Sequence, residues 1–336
     1  MDNQPIKNNT LISIPSLSVS IFCARVCLIT TILLIFMISP SALHASDKSL
    51  LIVINSKQSL HHLFVAQLKT QLIDVKNTRC EIEAIDIDDW KPEISHHHSL
   101  TLSLGNRAAN IISQRKLNQP VLYSLLPSLA YKKLVLSRKN CEDTQCSAVF
   151  IDQPLKRTLQ LTKLSLPNLK VAGILSGRHH NNDMKNLKYF SKNLDIIIEH
   201  EKLMNADNLV STLGEVLKIS DALLSLPDPG IYSSRTVQNI LLTAYRYRKP
   251  VIGYSKAFVK AGALFAVYST PFQLSQQTAE VINVFFKSQD NRLPSPQYPR
   301  HFTVSVNSMV ARSLNINIET EDKLQEKLEA IQNEEL

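Results

Sequence analysis

Glycine is scarce: seven residues in a chain of 336, at Gly105, Gly173, Gly177, Gly214, Gly230, Gly253 and Gly262. No GxGxxG and no GxxxxGK[ST] can be assembled from them, which argues against a glycine loop cradling nucleotide phosphates. Most of them fall where an apolar run ends, the position at which positive φ or close backbone approach is useful. Long apolar runs are also missing. The apolar run from Val26 to Ser39 falls short of the roughly 20 residues that span a bilayer. Paired cysteines at zinc spacing are absent, and no aromatic–basic stripe marks a nucleic-acid surface, so neither a zinc site nor a nucleic-acid partner is expected. GILSG (173–177) misses the GxSxG nucleophile elbow by one position, with no acid–His pair near it, and the chain does not read as an enzyme.

A globular composition is there instead, 44% hydrophobic and 20% charged, with length enough for two lobes. Residues 1–45 stand apart. Arg25 precedes the short apolar run, and Pro40, Ser41, Ala42, Leu43, His44 and Ala45 follow it, the layout of a secretory signal. Two readings stay open: cleavage after Ala45 with release to the periplasm, or an uncleaved anchor at the inner membrane. Cleavage would lower the formal net charge from +8 to +7 and leave Cys80, Cys141 and Cys146. Cys141 and Cys146 enclose a short polar loop, suited either to a small disulfide in an oxidising compartment or to two free thiols.

The rest of the chain alternates short apolar runs with helical patterns, the order of α/β architecture with parallel sheets. Strands are expected near 50–54, 80–87, 100–104, 121–125, 133–137, 169–175, 196–198, 222–226, 251–253, 264–268 and 301–307. A helical pattern at Leu60, Phe64, Leu68 and Leu72 joins the first two. The rhythm restarts near Asp152, which gives two similar halves. A first lobe is expected over 48–148 plus 263–290, a second over 149–262 plus 300–316, and a charged helix or tail over 317–336.

The block DALLSLPDPGIYSSRTVQNILLTAYRYRKPVIGYSKAFVKAGALFAVYSTP (221–271) carries the sharpest pattern. Together with SLGNRAA (103–109), FIDQPLKRTLQL (150–161) and FTVSVNSMVARSLNI (302–316), it resembles the ABC transporter substrate-binding proteins related to the tryptophan/tyrosine-binding group. The resemblance covers roughly 48–316. It implies the type I periplasmic-binding fold: two Rossmann-like lobes, three crossovers and a ligand held between them by hinge closure. It also implies a small polar ligand, an amino acid among the candidates, an ABC permease as partner, a monomer and no cofactor. A ligand-sensing or accessory module of the same fold without its own transporter is the alternative. The sequence departs from many relatives at Gly230–Ser234, and the segment between Tyr123 and Cys146 does not show the acidic and aromatic features expected of an aromatic amino-acid clamp.

Ligands of such sheets bind outside the carboxyl ends of the strands, which sets the candidate site. Asp228 either faces the cleft or serves its own turn. Tyr254 and Ser255, after the 251–253 strand, offer an aromatic wall and a hydroxyl. Gly105 and Asn106 in the first lobe, and Ser176, Gly177 and Arg178 in the second, occupy strand-to-helix turns whose free N–H groups suit a carboxylate. Gln153 is either a cleft residue or a cap, with the cap the favoured reading. The His61–His62, His96–His98 and His179–His180 clusters, and Asp86, Asp88 and Asp89, are read as solvated.

Overall fold

Strands buried on both faces need cover on both faces, and four of the first five are of this kind within one parallel sheet, the 80–86 strand at its edge being partly exposed. The computed structural model describes residues 48–73, 80–136, 145–177, 181–228, 230–288 and 290–334. The residues 1–45 and Cys141 lie outside them, as do Arg178, His179 and His180. Strands β1 (Lys48–Ile54), β2 (Cys80–Asp86), β3 (Leu100–Leu104), β4 (Val121–Leu126) and β5 (Cys146–Phe150) pair in the order β2-β1-β3-β4-β5. Every pairing is parallel. Side chains alternate across β1 as the pleat demands: Leu50, Ile52 and Ile54 enter one core, Leu51 and Val53 the other.

Helices α1 (Ser59–Ile73), α2 (Pro92–Ser95), α3 (Gly105–Ser113) and α4 (Ser128–Leu136) connect these strands. The helical spacing in α1 buries Phe64, Leu68 and Leu72. The expected strand at 133–137 is corrected: its residues up to Leu136 belong to α4. Parallel β4 and β5 are neighbours, and a parallel pair needs a crossover, so this segment serves as the connecting helix rather than as another strand.

The second lobe repeats the plan. Its helices are α5 (Leu155–Ser165), α6 (Asn181–Lys192), α7 (Leu209–Ile219), α8 (Val237–Arg246) and α9 (Lys256–Ala261). Its strands are β6 (Val171–Ser176), β7 (Ile197–Lys202), β8 (Ala222–Leu224), β9 (Val251–Gly253), β10 (Phe265–Tyr268) and β11 (Thr303–Val306). The order is β11-β10-β9-β8-β6-β7, with only β11 antiparallel to its neighbour. Helix α7 packs close on β6, since a Cβ at Gly173 would meet Val216 Cγ1 at 2.4 Å and Ser220 Oγ at 2.6 Å.

The chain then changes lobes. Helix α10 (Pro271–Lys287) begins in a capping box: Thr270 Oγ1 accepts from Gln273 N–H and Gln273 Oε1 accepts from Thr270 N–H. It places Leu274, Ile282 and Phe285 in the first-lobe core beside Phe64 and Leu68. The return strand β11 leads to α11 (Ser308–Ser313) and α12 (Glu321–Glu334). Helix α12 buries Leu324 and Leu328 in the second-lobe core and leaves charged residues outward. The expected lobe boundary at 263 is corrected too. Residues 263–270 stay with the second lobe, because β10 bonds β9 on one side and β11 on the other.

Three segments therefore cross between the lobes: 151–154, 269–270 and 294–302. The third runs beside β5, with Phe150 N–H donating to Gln297 O at 3.0 Å and Gln297 N–H to Ala148 O at 2.9 Å.

Candidate functional site

A cleft lies where the carboxyl ends of the two sheets approach the crossovers. Pro127, Ser128 and Asp152 come to it from the first lobe and its exit, Gln153 and Tyr298 from the crossovers, and Ser225, Leu226, Pro227, Tyr254 and Val267 from the second. Its volume is about 40 Å³. No lysine or arginine is among the residues that line it.

The first-lobe wall is polar. Asp152 Oδ1 accepts from Ser128 N–H at 2.7 Å and Oδ2 from Ser128 Oγ at 2.6 Å, and Tyr298 OH donates to Ser128 Oγ at 3.3 Å. The turn after β4 is thus fixed to the crossover that follows β5. The second-lobe wall is aromatic and aliphatic. Tyr254 meets the Phe258 ring edge-on at 5.3 Å between centroids and the Tyr232 ring at 6.1 Å. Burial, and then the Asp228 carboxylate, raise the Tyr254 hydroxyl above its ordinary pKa, so it stays a neutral donor and acceptor.

The expected residues are distributed unevenly about this cleft. Tyr254 lines it. Asp228 stands behind it: Oδ2 accepts from Gly177 N–H at 2.8 Å, Oδ1 from Gly230 N–H at 3.0 Å. It joins the turn after β6 to the turn after β8. The approach is close enough that a Cβ at Gly177 would lie 2.9 Å from Asp228 Oδ2. Ser255 caps α9, its side chain accepting from Phe258 N–H at 3.2 Å. Ser176 is fully buried, its hydroxyl 2.6 Å from His200 Nε2, and is not among the residues that line the cleft.

Gly105 and Asn106 sit at the carboxyl end of β3, outside the cleft lining, with Asn106 exposed. Gly105 has φ +75°, and a Cβ there would fall 2.9 Å from the His61 ring. The histidine reading is corrected at His61, which is buried on α1 and accepts Asn55 N–H at Nδ1, 3.1 Å away. Burial, and then neighbouring His62, lower its pKa and keep it neutral. Cys146 is disulfide-bonded, and Cys141, the partner that the spacing suggests, is outside the described residues. Cys80 is a free thiol. Among the described residues no cluster of three metal-ligating side chains forms, and no helix is long and apolar enough to cross a membrane.

Sequence reasoning passed over Asp152, Ser128 and Tyr298. Asp152 was readable: it follows an apolar strand in FIDQP, the strand-end position that singled out Asp228. Tyr298 carries no such signal, because a proline-rich linker has no periodicity to place it. Of the two readings of Gln153 the less favoured one holds: it lines the cleft from the first crossover, with Nε2 donating to Ser269 Oγ at 2.8 Å.

Comparison with known proteins agrees with this architecture. A domain from Streptococcus pneumoniae solved in complex with L-Trp matches with a TM-score of 0.58 at 15% identity, over 81% of this chain and 96% of that one. A ligand-free, open substrate-binding protein with adhesive properties from Clostridium difficile matches with a TM-score of 0.64 at 14% identity, over 82% and 97%. A conserved domain protein from Vibrio cholerae gives 0.56 at 16% identity, over 81% and 96%. None of the curated proteins matches this chain. At these identities the likeness shows the fold, the two-lobed α/β arrangement of type I periplasmic-binding proteins. The family model for ABC transporter substrate binding proteins matches residues 46–328, and the chain belongs to that family.

Proposed function

We propose that this chain is an exported solute-binding protein that captures a small polar ligand, an amino acid among the candidates, between its lobes for an ABC importer. The observation that carries this reading is the cleft at the crossovers, with a polar wall from one lobe and an apolar, aromatic wall from the other. Ligand sites of this kind are mostly apolar, with a few polar groups that fix orientation. Asp152, Ser128 and Tyr298 are the orienting groups, and Asp152 is suited to a ligand amine. Tyr254 supplies the wall that closes over the ligand. Asp228 and Gly177 hold the second-lobe rim in place behind it. Gly105, Asn106 and Ser255 act on the ligand only through the turns they shape.

A cleft of about 40 Å³ holds a few waters and excludes an amino acid. Ligand entry then requires the lobes to part about the three crossovers, the hinge motion of such proteins. Delivery to a permease by a monomer, and export by residues 1–45, belong to the same proposal.

A thermal-shift screen against amino acids and other small polar metabolites tests it. A ligand at about 100 times its dissociation constant adds about 2.7 kcal/mol of apparent stability. Asp152→Asn and Tyr254→Ala are each expected to lose at least about tenfold in affinity, about 1.4 kcal/mol. A ligand whose shift survives both substitutions refutes the site, and a screen without any shift refutes the function. An amino terminus at Ser46 in periplasmic extract is the expected outcome for export.

A further inference from the structure

A second cavity, of about 430 Å³, lies where α12 meets the crossovers, lined among others by Arg157, Arg300, His301, Glu329 and Asn333. Its unusual member is Arg157. This side chain is 7% exposed, yet each of its hydrogen-bond partners is neutral. Nε donates to Gln332 Oε1 at 3.1 Å, and Nη1 donates to Gln153 Oε1 at 2.7 Å and to Pro299 O at 2.8 Å. The guanidinium lies over the Phe302 ring, 4.5 Å from its centroid. Among the described residues no carboxylate pairs with Arg157, and its Nη2 makes no hydrogen bond. Burial alone lowers its pKa, to about 10, with no neighbouring acid to raise it.

A buried charge without a counter-charge is costly, and a fork with one open arm is suited to oxygen pairs. The other charges around the cavity are already engaged. Arg300 pairs with Glu280 and is largely exposed. Glu329 is exposed and accepts from Gln325 Nε2 at 2.5 Å. Asn333 is exposed, and its amide makes no hydrogen bond among the described residues. His301 is exposed at the rim, while its backbone carbonyl accepts from Ser269 Oγ at 2.5 Å.

We propose that this cavity binds a small oxyanion, a phosphate or carboxylate group, which accepts from Arg157 Nη2 and the Asn333 amide. The location has a consequence for the hinge. Arg157 bonds the first crossover through Gln153 and the third through Pro299, and Gln153 bonds Ser269 in the second. The anion would therefore sit on the side chain that ties all three crossovers together.

Calorimetric titration of the full chain with inorganic phosphate, and separately with acetate, at constant ionic strength tests the proposal. Saturable binding of either with one site per chain is expected, and the stronger of the two identifies the group. Asn333→Asp should weaken binding at least about tenfold, and Glu329→Gln, which removes the facing carboxylate, should tighten it about threefold. Both positions are exposed, so these variants keep the test open if Arg157→Lys fails to fold. Where Arg157→Lys folds, binding should be lost. The proposal is overturned by binding of neither anion, by equal binding in Asn333→Asp and Glu329→Gln, or by loss of binding in the cleft variant Asp152→Asn.

Discussion

Replacing Asp228 by asparagine separates two roles for this residue. Its carboxylate takes the N–H groups of Gly177 and Gly230, while its backbone carbonyl takes those of Ile231 and Tyr232 at 3.0 and 2.7 Å. Asparagine keeps the shape but has one acceptor oxygen, so either Gly177 or Gly230 then faces an amide NH2. A hydrogen bond to a charged group contributes about 1.5–3 kcal/mol. Asp228 is half-buried, so water replaces part of the loss and about 2 kcal/mol is expected. At about 1.6 °C for each kcal/mol, from about 2.1 cal/mol/K per residue over roughly 300 residues, the ligand-free melting temperature should fall by about 3 °C. Urea denaturation should show a lower midpoint with an unchanged slope, the mark of a stability change without a change in compactness. If Asp228 served the ligand alone, the ligand-free variant would melt with the parent. A shift below about 1 °C refutes the clamp reading.

Three further outcomes follow from the same contacts. Gly105→Ala should destabilise by at least about 1–2 kcal/mol from its positive φ, and more from the clash with His61; unchanged urea stability contradicts that geometry. His61 is held neutral, so its stabilisation is present above the ordinary histidine pKa of about 6.5 and is lost as pH falls below it; the slope of stability against pH between about 7 and 5 should flatten in His61→Gln. Phe285→Ala should cost about 3–5 kcal/mol and, although Phe285 lies between two second-lobe segments of the chain, should release amide exchange in α1 rather than in β8.

Much of the fold was legible because it rests on local periodicity. Leu50–Ile54 is apolar on both faces and Leu100–Leu104 reads as a buried run between turn signals, while Phe64, Leu68 and Leu72 share one helical face. The segment 133–137 was misread because a short apolar run looks alike in a strand and in a helix, and its neighbours in space decide between them. The lobe boundary near 263 failed for a similar reason: which sheet accepts β10 depends on pairings with β9 and β11, the latter more than thirty residues away.

The site divides in the same way. Strand ends are marked in the sequence by Gly177, Pro227 and Gly253, so the rim of the cleft and the residues Asp228, Tyr254 and Ser255 could be named in advance. Their roles could not, because the direction of a side chain after a turn is set by what it meets: Asp228 turns to Gly177, Ser255 to Phe258, and Tyr254 to the cleft. By itself the sequence determined the alternation of strands and helices, the restart near Asp152 and the family. Only the tertiary structure decided which residues share the cleft, since Ser128, Asp152 and Tyr298 are joined by hydrogen bonds across separations of 24 and 170 residues. It also decided that Arg157 lies buried among the three crossovers, because local pattern reports periodicity and hydrogen bonding across the fold depends on packing.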